Sequence, residues 1–116
     1  MIKNYTHARD FLFKKHTESH PLDNKGTCLE RRTNCSIAVR YNDVDIVTYY
    51  RNGRFKLDTG GNRSRETKNR MIKYSPCNIF VIKGVWFITI KKTNYYYADG
   101  ITVSAYGKVV GEGIRP

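Results

Sequence analysis

The chain has few acids, few prolines, few cysteines and no long apolar run, and each scarcity closes off a class of protein. Three prolines among 116 residues, with no low-complexity tract, argue against a disordered or fibrous chain. Cys28, Cys35 and Cys77 form an odd set without a C-x-x-C pair, which argues against a secreted disulfide scaffold and for a reducing compartment. No apolar run is long enough to span a bilayer, and there is neither a lipidation signal nor a basic amphipathic helix long enough to lie on one. The opening MIKNYTHARDF lacks the apolar stretch and cleavage site of an export signal, so a mature cytoplasmic chain is expected. The G-x-x-x-x-G-K-[ST] spacing is also missing, which removes a P-loop NTPase.

Cations are abundant. Lys and Arg number 21 against 10 acids, a formal charge of +11 that exceeds what solubility requires. The net charge is +3 over residues 1–32, +5 over 33–76 and +3 over 77–116. The middle segment is therefore the expected electrostatic footprint for a polyanion.

Periodicity divides the chain. THARDFLFKK places Ala8, Phe11, Leu12 and Lys15 at helical spacing behind Thr6 as N-cap. KHTESHPLDNKG, punctuated by Pro21 and Gly26, reads as an irregular connection. From TCLERR onward the pattern alternates as strands do. Asn42-Asp43 joins SIAVRY to VDIVTYY, Lys83-Gly84 joins NIFVI to VWFITI, and Asp99-Gly100 joins YYYA to ITVSA. Asn52-Gly53 reads as a two-residue type I′ turn, which pairs Tyr50 with Phe55 and Tyr49 with Lys56. Ile46, Thr48, Tyr50, Phe55 and Leu57 then share the core face, and Tyr49 and Lys56 share the wet one.

Trp86 and Phe87 cannot both face inward on one strand; Phe87, with Ile79 or Phe80, is expected beside buried Val39, Ile46 and Leu57. After RFKLDT, Gly60-Gly61 ends the pairing, and a short helix KNRMIKY follows with Thr67 as N-cap and Ser75-Pro76 as its stop. The tail GKVVGEGIRP is expected to fray at its last few residues. The whole predicts a single basic α+β domain over residues 1–116. It comprises a curved, mainly antiparallel sheet of about six to eight strands, an N-terminal helix and one short helix after the Gly60-Gly61 turn.

The stretch KLDTGGNRSRETKNRM sets two glycines before a basic run, a pattern that suits phosphate: backbone N–H groups of a glycine turn and a helix start converge on an anion, and arginine adds charge. Gly61, Arg63, Arg65, Lys68 and Arg70 are the expected phosphate contacts, set against the plainer reading of a turn and a solvated helix face. Nine tyrosines interleave with cations, so Tyr49, Tyr95 and Tyr97, with Lys56 beside Tyr49, are the expected base-stacking residues.

His16 and His20, with Cys28 and Cys35, match no standard zinc spacing, and Asp43, Asp45 and Asp58 fit hairpin turns better than a cation. No metal and no cofactor is expected. The same histidines, with Lys14 and Lys15, are the residues a metal-independent ribonuclease would use.

Several segments recur together in order and spacing: TCLERR, SIAVRYNDVDIVTYY, NGRFKLDTGG, TKNRM, YSP and ADGITV, preceded by Ala8, Phe11 and Leu12. Over roughly Ala8 to Val110 this resembles a family of small proteins encoded in bacteriophage genomes. The resemblance implies a phage origin and the cytoplasm of an infected bacterium. One position departs from it, since Asn62 stands where those proteins carry an aromatic after the double glycine. Origin and charge together predict a non-enzymatic accessory protein that binds nucleic acid or a nucleic-acid-loaded host complex, with antagonism of a bacterial defence system such as a CRISPR effector as its use. The alternatives are a pocket that sequesters a nucleotide signal and, third, the ribonuclease.

Overall fold

The computed structural model describes residues 1–110; the expected fraying of the last residues lies outside the described residues. Among the described residues two helices and nine strands form an α+β fold. Helix α1 spans Tyr5–Lys14, and strands β1 (Ser19–Pro21), β2 (Thr27–Arg31), β3 (Ile37–Tyr41), β4 (Val44–Tyr49) and β5 (Phe55–Leu57) follow. Helix α2 (Arg65–Lys73) precedes β6 (Asn78–Ile82), β7 (Val85–Ile90), β8 (Thr93–Tyr96) and β9 (Thr102–Val103). The strands form two antiparallel sheets rather than one, in the orders β1-β2-β3-β4-β5-β9 and β6-β7-β8. No helix among the described residues is long and apolar enough to cross a membrane.

The turn residues explain the meander. Asn42-Asp43 and Lys83-Gly84 both sit at positive φ and close two-residue hairpins, as their sequences predict. Lys91-Lys92 does the same between β7 and β8, although lysine carries no turn signature. Asn52-Gly53 behaves differently. Gly53 alone takes the left-handed conformation (φ +90°), Gly53 N–H donates to the Tyr50 carbonyl at 2.9 Å and Tyr50 N–H to the Arg54 carbonyl at 2.8 Å. The loop therefore has three residues, and β4 pairs β5 as Tyr49 with Phe55, Thr48 with Lys56 and Val47 with Leu57. That register is one residue from the expected one, and a one-residue slip exchanges the two faces of the strand.

The helix caps also lie earlier than expected. Asn4 Oδ1, not Thr6, accepts the His7 N–H (2.9 Å), and Ser64 Oγ, not Thr67, accepts a first-turn N–H of α2, that of Thr67 itself (3.2 Å). Asp23 Oδ1 accepts the N–H groups of Lys25 and Thr27, which turns the supposedly irregular connection so that β1 pairs with β2. Asp99-Gly100 is a turn between sheets rather than a hairpin, since β8 pairs with β7 and β9 with β5.

One core joins both sheets and both helices. Leu29, Ile37, Val39, Val47, Tyr49, Phe55, Leu57 and Val103 line one face of the large sheet, against Ala8 and Leu12 of α1, Met71 of α2, and Ile79, Trp86, Ile88 and Ile90 of the small sheet. Val39, Ile46 and Leu57 are buried as expected. In the small sheet Trp86 pairs with Val81 and Phe87 with Phe80, also as expected, but Trp86 faces the core and Phe87 faces out. The parity of Trp86 with Ile88 and Ile90 decides that orientation, because three apolar side chains on one face bury more surface than Phe87 with Thr89.

Candidate nucleic-acid interface

The glycine loop is held by its own neighbours. Thr59 N–H and Oγ1 both donate to Asp99, at 2.8 to 2.9 Å. Gly60 N–H donates to Asp58 Oδ1 (2.7 Å), Gly61 N–H to Thr59 Oγ1 (3.2 Å) and Asn62 N–H to the Thr59 carbonyl (3.1 Å). Every N–H from Thr59 to Asn62 thus has an acceptor within the chain. A phosphate cradle needs those groups pointing outward and unsatisfied, so the expected role of Gly61 is not what the loop is built for. Asp99 remains charged below the usual carboxylate range: burial opposes this, but hydrogen bonds from Tyr97 and Thr59 and the nearby Arg63 outweigh it.

The expected cations are spread over several tasks. Arg63 lies over the rings of Trp86 and Tyr97, 5.4 and 5.1 Å from their centroids. Arg70 donates from Nε to Thr27 Oγ1 (2.6 Å) and from Nη1 to the Glu66 carbonyl (3.0 Å), and its guanidinium carbon stands 3.8 Å from the Tyr41 centroid. Arg70 is therefore a strut between α2 and the large sheet. Arg65 is exposed and Lys68 half-buried on α2, both open to a partner. Lys56, half-buried, sits opposite Thr48 and Thr102 in the large sheet.

Two of the three expected stacking tyrosines are in the core. Tyr49 is 0% exposed and its hydroxyl donates to the Tyr74 carbonyl; Tyr97 is buried and its hydroxyl donates to Asp99 (2.7 Å). Burial pushes both phenols up. The register slip at Gly53 is the physical reason Tyr49, rather than Tyr50, turns inward. Tyr95 is half-buried and packs against the core from the inner face of the small sheet. The histidines serve separate local structure: His20 packs edge-on against Phe11 with centroids 5.3 Å apart, and His16 occupies the left-handed turn after α1.

Phe13 and Tyr106 are exposed singly, and one group of aromatics lies together near the surface, with Tyr96 exposed and Phe80 and Phe87 half-buried. On the outer face of β6-β7-β8, Phe80, Phe87 and Tyr96 align across the three strands. Phe80 and Phe87 stack with centroids 5.2 Å apart and planes 16° from parallel, and Tyr96 continues the row 5.2 Å from Phe87. Ile82 and Val85, 54% and 45% exposed, extend this surface on one side, and a polar row of Asn78, Thr89 and Asn94 bounds it on the other. The alternation of Trp86, Ile88 and Ile90 carried the signal for this outward row.

Charge distinguishes that face from an ordinary apolar patch. From Thr67 to Ala98 the sequence contains no Asp or Glu. Within the small sheet Lys83 occupies the turn at one end and Lys91 and Lys92 the turn at the other. The aromatic row thus runs between two cationic ends with no carboxylate on the sheet. Compared with known proteins, the chain matches no family model, no curated protein and no solved structure.

Proposed function

We propose that the protein binds single-stranded nucleic acid on the outer face of β6-β7-β8, as a non-enzymatic phage accessory protein in an infected bacterium. The stacked row of Phe80, Phe87 and Tyr96 carries this reading. A row of rings on the outer face of a sheet, here half-buried Phe80 and Phe87 with exposed Tyr96, is a surface on which unpaired bases stack, worth about 1–3 kcal/mol per base. Duplex bases are already stacked on each other and cannot use it. Lys83 at one end and Lys91 and Lys92 at the other supply phosphate neutralisation, and the polar row of Asn78, Thr89 and Asn94 supplies donors and acceptors beside the rings. An acid-free, lysine-rimmed face favours a polyanion over a second copy of the same cationic surface.

The phage origin implied by the motif resemblance supplies the setting. A guide-loaded host defence complex presents a single strand, and occupying it is the use that fits a small binding protein with a net charge of +11. The test is fluorescence anisotropy with labelled oligonucleotides of one sequence as single strand and duplex. The single strand is expected to bind more tightly, with a slope of log affinity against log salt of about −0.7 per phosphate contacted. Equal affinity for both forms would remove base stacking from the account.

A further inference from the structure

A second anion site lies away from the small sheet, in a polar cleft of about 490 Å³ between α1, the β2–β3 turn and the β4–β5 loop. Arg9, Arg31, Arg32 and Arg51 line it, with Glu18 the one acid on its wall and Tyr5 beside them. The first turn of α1, which borders the cleft, carries no acid either. From the described residues and these geometries we infer that the cleft takes a small phosphomonoester of the nucleoside monophosphate class. The inference does not rest on the strand-binding face, with which it shares no residue.

The state of each arginine supports it. Arg32 is fixed: it donates to Glu30 Oε2 (2.7 Å) and through Nε and Nη2 to Asp45, leaving two of its five N–H groups for other acceptors. It forms a rigid wall. Among the described residues the Arg31 side chain has an ion pair only with Glu18, at 3.5 Å, and the Glu18 side chain is 82% exposed, so an incoming dianion displaces that contact at small cost. Arg9 pairs with its own neighbour Asp10 at 3.2 Å, with both side chains about half exposed. Arg51 makes no ion pair, side-chain hydrogen bond or ring contact among the described residues.

Three weakly partnered guanidinium forks around one polar cavity match the oxygens of a phosphate, which accepts paired N–H bonds from each. The cavity is larger than phosphate needs and falls in the ordinary range of small-molecule sites, roughly 300–1,000 Å³. Its size therefore leaves room for a nucleoside beside the phosphate, with the Tyr5 side chain on the wall.

Cys35 also lines the cleft and is exposed, which provides an independent readout. The test is calorimetry on the full chain with adenosine 5′-monophosphate, adenosine and inorganic phosphate, together with iodoacetamide labelling of Cys35 followed by mass spectrometry. The monophosphate is expected to bind saturably at one per chain, adenosine to give no isotherm, phosphate to bind more weakly, and the monophosphate to protect Cys35. Arg51→Ala and Arg9→Ala, both on exposed side chains, are each expected to weaken binding by about tenfold or more with an unchanged melting temperature. Absence of saturable binding at millimolar monophosphate, adenosine binding as well as its phosphate, or binding and Cys35 protection unchanged in both variants would overturn the assignment.

Discussion

The Arg63 guanidinium lies 5.1 Å from the centroid of Tyr97, whose hydroxyl in turn holds Asp99 at 2.7 Å. Asp99 grips Thr59, so the cation that follows the double glycine is tied through one tyrosine to the loop that precedes it. The basic loop is a structural clasp at Arg63 and an open surface only further along α2.

Alanine substitutions separate those roles. Arg63→Ala is expected to lower stability in urea denaturation by about 0.5–1 kcal/mol, the usual scale of an exposed cation–π contact. Arg65→Ala and Lys68→Ala should stay within about 0.5 kcal/mol of the parent. Equal and negligible effects at all three positions would show that the clasp contributes nothing.

The two glycines should also respond unequally. Gly60 has φ +62°, and a Cβ there would sit 2.6 Å from Val44 Cγ2, whereas Gly61 has φ +87° with open space around it. Gly61→Ala meets backbone strain alone, about 1–2 kcal/mol. Gly60→Ala adds a clash with a half-buried valine and is expected to cost about 1–3 kcal/mol more. Melting temperatures in the reverse order would refute this packing.

Tyr49→Phe tests the register. Losing the hydroxyl leaves the Tyr74 carbonyl, at the end of α2, without its donor in a buried position, at a cost of about 1–3 kcal/mol. Oligonucleotide affinity should not change, because Tyr49 never reaches solvent. A stable variant with weakened binding would restore Tyr49 to the surface.

Acid should loosen the same clasp. Asp99 is depressed in the folded state, so its contribution is present above the unfolded carboxylate value of about 3.9 and is lost as pH falls below it. Stability measured by urea denaturation should therefore fall on acidification from about pH 5 to 3, and Asp99→Asn should flatten part of that fall. An identical pH profile in the variant would show that other carboxylates, such as Glu30 beside Arg32, carry the whole dependence.

The sequence made the α+β class readable because apolar alternation and turn dipeptides are local signals. Asn42-Asp43 and Lys83-Gly84 adopt the positive φ values that their short hairpins demand. Asn52-Gly53 announced a turn but not its length, and the third loop residue determines which of Tyr49 and Tyr50 is buried. The division into two sheets was not legible, since β9 could pair with β8 or β5 with equal local propriety and tertiary packing chose β5. Lys91-Lys92 reads as surface charge rather than a turn. At the candidate site, the glycine loop and the basic run were visible, yet their hydrogen-bond partners, Asp99 for Thr59 and Thr27 for Arg70, lie some forty residues away in the chain. The outward aromatic row was latent in the alternation of Trp86, Ile88 and Ile90, which Phe87 obscured by being equally apolar.

The most direct measurement is single-strand affinity by anisotropy for Phe80→Ala and Phe87→Ala, with circular dichroism melting to confirm that each variant folds. Each ring removed should cost about 1–3 kcal/mol of binding, at least roughly a fivefold loss, while the salt slope stays constant because the lysines remain. Folded variants that bind the strand as tightly as the parent would contradict the assignment of the outer sheet face.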